Sequence, residues 1–106
     1  MNMCVLYITY PSKEEAVKIS RILIEEKLVA CVNIFDSVLS MYEWEGELVS
    51  EQETAVITKT CEQKVDDVIE RVKALHMYDC PCIISMEVKK GNKDFVKWVE
   101  NSIKVE

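Results

Sequence analysis

Glycine and proline are nearly absent from this chain, with two of each in 106 residues. So few turn formers leave little room for disordered linkers or low-complexity tracts. Arginine is scarce too, confined to Arg21 and Arg71, and 13 basic side chains face 19 acidic ones for a formal net charge of −6. Phosphate contacts need clustered Lys and Arg, so nucleic acid is excluded as a partner, and an anionic membrane surface with it. No apolar run approaches the roughly 18 residues of a membrane span. Histidine occurs once, as His76, and no serine or aspartate is spaced to form a relay with it. Without a nucleophile–base constellation the chain is expected not to be an enzyme and to require no cofactor.

Five cysteines is an odd number, and their spacing is not that of a disulfide scaffold. The opening "MNMCVLYITYPSK" lacks the basic segment of a secretion signal. Reduced thiols and a cytoplasmic location are therefore expected. Cys4, Cys31 and Cys61 read as small buried hydrophobes.

What is present is an alternation of elements within one expected domain, residues 1–106. "MCVLYITY" is apolar in both phases, as in a strand covered on both faces. In "PSKEEAVKISRILIEEKL", Ser12 and Glu15 form a capping box, and Ala16, Ile19 and Leu23 make an apolar helical stripe. "ACVNIFDSVLSMYEWEGELVSEQETAVITKT" reads as two long strands around a turn at Glu45-Gly46, with a bulge near Phe35-Asp36 where the inward phase changes. A second capping box, Thr60 to Gln63, opens a helix striped by Val65, Val68, Ile69, Val72 and Leu75. "CIISMEVKK" alternates as an edge or half-exposed strand. Beyond Gly91-Asn92, "KDFVKWVENSI" predicts a last helix with Phe95, Trp98 and Val99 inward. The order β-α-β-β-α-β-α predicts an α+β fold: a ferredoxin-like βαββαβ sandwich with an extra C-terminal helix and a long β2–β3 hairpin.

That hairpin is too long for its own domain. Arms of about fourteen residues at roughly 3.3 Å each reach about 45 Å, whereas a compact chain of this length is roughly 33 Å across. The overhang carries Leu39, Met41, Tyr42, Trp44, Leu48 and Val49, and pairing with other copies would cover both its apolar side chains and its open edges. A homo-oligomer is expected.

The segments "EEKLVACVNI", "MYEWEGEL", "ITKT", "LHMYDCP" and "GNKDFVKWVENS" resemble, in order and spacing, the CutA divalent-cation-tolerance family. The resemblance implies ferredoxin-like homotrimers whose hairpins build inter-subunit sheets, a link to tolerance of copper and other divalent metals, and no settled enzymatic reaction. This chain departs from the family twice. His76-Met77-Tyr78 stands where His-Pro-Tyr is usual, and Ile8, which cannot coordinate a metal, occupies the place of a thiol proposed as a copper ligand in some members.

The stretch "ALHMYDCPC" concentrates the soft ligands. His76 falls at a helix end, where it can hydrogen-bond the last carbonyls. Cys80 and Cys82 straddle Pro81 with side chains on one side, about 7 Å apart if extended, too far for a ready disulfide. With His76 they could bind copper(I) or zinc weakly, but a closed site wants a fourth ligand. The alternative is a structural His76 and incidental thiols. Glu43, Glu45, Glu47, Glu51 and Glu53 could offer oxygen ligands to a divalent ion if subunits pool them, or simply form a solvated charged hairpin. Trp44, Lys59 and Tyr78 are candidates to line a cleft between subunits, or to anchor an interface by their polar tips.

The alternative function is a small-molecule sensor like the trimeric nitrogen-regulatory PII proteins, although the short-turned acidic hairpin disfavours nucleotides. Other users of the fold are excluded: no Cys-x-x-Cys follows the first strand as in copper chaperones, the charge is wrong for an RNA-recognition module, and Lys13 alone is basic where an acylphosphatase needs arginine.

Overall fold

Apolar in both phases, Met3–Tyr10 forms strand β1, an inner strand of the sheet paired on both sides in the computed structural model, which describes residues 2–103. β2 (Cys31–Trp44) and β3 (Glu47–Cys61) form the hairpin, and β4 (Ile83–Glu87) is a short edge strand. All pairings are antiparallel in the order β2-β3-β1-β4, the ferredoxin-like plan. Helices α1 (Lys13–Glu25) and α2 (Val65–Leu75) cover one face, and α3 (Lys93–Ser102) covers one end of the other.

The main core lies under α1 and α2. Leu6, Ile8 and Tyr10 of β1 meet Ala16, Ile19 and Leu23 of α1, Val68 and Val72 of α2, and Val56 of β3. Each is essentially inaccessible to water, and burying a side chain of this size contributes about 1.5–3 kcal/mol. A second cluster joins Met3 and Cys61 to Val99 and Ile103 beneath α3. Cys4 and Cys61 are buried as expected of small hydrophobes, while Cys31 is half-buried.

Ser12 caps α1 by accepting the Glu15 N–H at 3.2 Å. Three sequence expectations are corrected. No capping box forms at Thr60: β3 runs on to Cys61, the Thr60 hydroxyl donates to the Leu28 carbonyl at 2.7 Å, and a 3-10 turn at Glu62–Lys64 leads into α2. Nor do Phe95 and Trp98 point into the protomer. Val99 is buried, but Phe95 and Trp98 stack on each other and are 39% and 49% exposed. The strand expected over 82–90 is also shorter, at Ile83–Glu87.

The hairpin turns at Glu45 and Gly46, both at positive φ (50° and 81°), as a type I′ connection requires. Its register slips between Phe35 and Val38, where the expected bulge puts Ser37 at φ 60°. Asp36 holds that bulge, its Oδ1 accepting from the Ser37 N–H at 2.9 Å and the Thr54 hydroxyl at 3.2 Å. β1 pairs with β3 only as far as Thr54. Beyond it, Val38–Trp44 and Glu47–Glu53 pair solely with each other, and the long axis reaches 45 Å against 26 and 21 Å for the other two.

Candidate functional site

Side-chain alternation sends Tyr42, Trp44, Val49, Glu51 and Glu53 of the overhanging hairpin to the sheet face away from α1 and α2. The α2–β4 loop, residues 76–82, curls to the same side. Between them lies a cleft of about 600 Å³. Trp44, Tyr42 and Tyr78 supply aromatic walls, Glu51, Glu53 and Asp79 supply carboxylates, and Cys80 and Cys82 close one end beside Thr9. Among the described residues no lysine or arginine lines it.

Two phenol–carboxylate pairs organise the cleft. Tyr42 donates to Glu51 Oε1 at 2.9 Å, and Tyr78 donates to Glu53 Oε2 at 2.9 Å. Both phenol pKa values are raised: by the Glu51 hydrogen bond first for Tyr42, and by burial and then the Glu53 bond for Tyr78. Glu53 is only 8% exposed, unlike Glu43, Glu45 and Glu47, which face solvent as a charged hairpin tip.

His76 terminates α2 but turns away from the last helical carbonyls. Its Nε2 lies 2.7 Å from the carbonyl of Thr9 on β1, and its Nδ1 accepts the Tyr78 backbone N–H at 3.1 Å. The pattern assigns the neutral Nε2–H tautomer, with both nitrogens engaged. The ring also stacks on buried Tyr10 (centroids 5.0 Å, 15° between planes) and tilts against Tyr78 (4.8 Å, 43°). His76 is a structural pin that fixes the loop to the sheet, and it offers no lone pair to a metal.

The three candidate ligands therefore do not converge. Cys80 and Cys82 line the cleft and His76 does not. Among the described residues no three His, Cys, Asp or Glu side chains are placed to hold one metal ion. Cys82 has its thiol pKa raised by loss of solvation and then by the Glu53 charge, which works against a thiolate ligand. Of the residues expected at a cleft between subunits, Trp44 and Tyr78 line this cleft of the protomer, and Lys59 lies elsewhere in the same protomer. Its ammonium donates to Asn33 Oδ1 and lies 5.8 Å from the Phe95 ring centroid, beside α3. Glu53 and Asp79 were not legible as cleft residues. The only available signal was the strand phase, which puts Glu53 on the face of Tyr42.

An antiparallel β2-β3-β1-β4 sheet backed by two helices, with an overhanging hairpin and a third helix on its open side, defines a long-hairpin ferredoxin-like protein. The family model "CutA1 divalent ion tolerance protein" matches residues 4–102. The chain belongs to this family. The divalent-cation tolerance protein CutA of Archaeoglobus fulgidus is 43% identical over 98 residues, spanning 92% of this chain and 95% of that one. Its solved structure, described as a periplasmic divalent cation tolerance protein, superposes with a TM-score of 0.93 at 41% identity, covering 96% of this chain and 99% of that one. CutA1 of Oryza sativa superposes with a TM-score of 0.97 at 39% identity, covering 100% and 97% of the two chains. These relatives lend no support to the PII-like sensor.

Proposed function

We propose that the protein acts as a homotrimer in the response to divalent metal ions, as a binding protein without catalytic chemistry. The overhanging hairpin carries this reading. Seven residues of each arm extend past the end of β1, with Leu48 73% and Trp44 64% exposed. Phe35, Ile84, Met86, Phe95 and Trp98 add an exposed apolar surface beside them. A lone protomer would leave this surface in water, and packing between copies removes that cost.

Metal contact on this reading is weak and centred on Cys80, Cys82 and the nearby carboxylates of the cleft, whose aromatic wall of Trp44 and Tyr78 faces a neighbouring subunit. Copper or zinc would suit the thiols, and harder divalent ions the carboxylates. A catalytic role is disfavoured because the one imidazole spends both nitrogens on backbone groups. Five unpaired cysteines favour the cytoplasm, and no helix among the described residues is long and apolar enough to cross a membrane.

Light scattering on the reduced protein, with metal uptake measured on the same sample, tests the reading. A trimer that takes up copper, with uptake reduced in Cys80→Ser/Cys82→Ser and unchanged in His76→Ala, is expected. A monomer at micromolar concentration would remove it.

A further inference from the structure

The side-chain oxygens of Tyr10, Ser20 and Thr58 are buried without a hydrogen-bond partner among the described residues. That of Ser20 lies at an opening to solvent. Ser20 is on the inward side of α1 and only 3% exposed, and it forms part of a slot of about 240 Å³ between α1 and the first half of β2. Val17 and Ile24 on the helix and Val32 and Ile34 on the strand make the walls. All four are branched aliphatics, so the interior of the slot is apolar apart from one unpartnered hydroxyl. Such a hydroxyl is costly until a hydrogen bond meets it.

The rim is charged. Arg21 and Glu25 border the slot, and among the described residues neither enters an ion pair, whereas the neighbouring Glu26 is taken by Arg71. Residues four apart on a helix are about 5–6 Å from each other at Cβ, and arginine preceding glutamate is the weaker orientation for a helical pair. A simple anion would use Arg21 and be opposed by Glu25; a simple amine would meet the reverse. A zwitterion uses both. An α-amino acid carries its two charges on groups bonded to one carbon, side by side as Arg21 and Glu25 are, and its side chain supplies the apolar part. The volume lies below the range of pockets for drug-sized ligands, which limits the occupant to a small molecule.

We propose that the slot binds a free α-amino acid with a branched aliphatic side chain. Arg21 pairs with its carboxylate and Glu25 with its ammonium. The Ser20 hydroxyl donates to the carboxylate oxygen turned inward, and the aliphatic side chain rests among Val17, Ile24, Val32 and Ile34. The slot is on the face of the sheet that α1 covers, away from the hairpin cleft and the open side, so the inference does not depend on the trimer or metal reading.

Isothermal calorimetry of L-leucine with the full-length reduced protein is the test. Three further probes each lack one feature: 4-methylpentanoate the ammonium, isopentylamine the carboxylate, and glycine the side chain. Saturable binding of leucine at millimolar concentration is expected. Each of the other three should bind about tenfold more weakly or worse, the effect of losing one charged hydrogen bond or a buried side chain. In Arg21→Gln leucine should lose its advantage over isopentylamine, and in Glu25→Gln its advantage over 4-methylpentanoate, a pattern that distortion of the helix would not produce. Ser20→Ala should also weaken leucine. Glu14→Gln, an exposed acid on α1 outside the slot, should change nothing. Arg21 and Glu25 are exposed, so their variants are expected to fold, which circular dichroism verifies. No saturable heat with leucine, glycine binding as tightly as leucine, or equal loss in Glu14→Gln and Glu25→Gln overturns the proposal. A trimer with normal copper uptake but no leucine binding would overturn this inference alone, whereas a leucine-binding monomer would overturn only the trimer.

Discussion

The hydroxyl of Tyr78 donates to Glu53 Oε2 at 2.9 Å, joining a loop to a strand residue 25 positions earlier in the chain. Tyr78→Phe removes the only side-chain hydrogen bond that Glu53 makes among the described residues. The cost should be about 1–3 kcal/mol, because a buried acceptor is left without its donor. Chemical denaturation of the two proteins at pH 7 measures it, and an unchanged midpoint would show that the pair contributes nothing.

The same bond has an alkaline signature. Burial and Glu53 raise the Tyr78 pKa above its ordinary value of 10.0, and burial raises that of Tyr10 as well. A group whose pKa is raised on folding contributes stability that is whole below its unfolded pKa and is lost as pH rises toward its folded one. Stability should therefore hold up to about pH 9 and decline from about pH 10 upward. Tyr78→Phe should make that decline shallower, leaving the parts due to Tyr10, to Tyr42 and to the thiols of Cys4, Cys61 and Cys82, whose pKa values are also raised. A denaturation series from pH 8 to 11 compares the slopes; identical slopes would exclude Tyr78 as a contributor.

Removing the imidazole separates structure from metal binding. His76→Ala loses the Thr9 and Tyr78 backbone contacts and the Tyr10 stack, a loss of about 2–4 kcal/mol from two hydrogen bonds and one aromatic pair. His76→Gln can restore at most part of it. Copper uptake should be the same in all three proteins. Uptake that disappears in a folded His76→Ala protein would mean that the imidazole leaves its backbone partners to bind metal.

Most of the fold was legible because each strand and helix carries its own period. β1 is apolar in both phases because α1 and α2 cover one face and α3 packs against part of the other. The hairpin length and its phase change near Phe35 also read correctly, since both are local. What failed was non-local. Thr60 and Gln63 have capping-box spacing, but the hydroxyl of Thr60 is taken by Leu28, 32 residues away. A helical stripe marks Phe95 and Trp98 as apolar without saying that this chain's own core takes Val96, Val99 and Ile103 instead. The partner of His76 is Thr9, 67 residues earlier, beyond any spacing rule. Lys59 lies twelve residues beyond Glu47, the partner of Trp44. At about 3.3 Å per residue that puts roughly 40 Å of strand between them, so within one protomer they do not meet, and the cleft expected between subunits would take Lys59 from another copy.

The bulge between Phe35 and Val38 decides which hairpin side chains face the cleft, because losing one residue of register sends Tyr42 and Trp44 to the opposite face. Asp36 fixes it by accepting from Ser37 and from the buried hydroxyl of Thr54. Asp36→Ala should destabilise by about 1–2 kcal/mol, and the Asp36→Ala/Thr54→Val pair by less than the sum of its single changes, since both remove one contact. Ser37→Val forces a β-branched residue to positive φ and should cost at least about 1–2 kcal/mol. Additive energies for the Asp36–Thr54 cycle would show that their hydrogen bond does not support the bulge.

A single charge on the open side of the sheet tests the assembly. Met86 on β4 is half exposed in the protomer, close in sheet order to Ile84 and on the side left open by α1 and α2. Between packed subunits its burial would contribute about 1.5–3 kcal/mol per copy. An unpaired ammonium in the same place would instead cost several kcal/mol in each of three copies. Met86→Lys is therefore expected to give a folded monomer at micromolar concentration where the parent chain is expected to be a trimer, as read by light scattering and far-UV circular dichroism. Lys90, exposed next to α3, serves as the control through Lys90→Glu, which should leave the assembly intact. If Met86→Lys remains fully trimeric, this side of the sheet is not where the copies meet, and the overhanging hairpin would have to hold the subunits together alone.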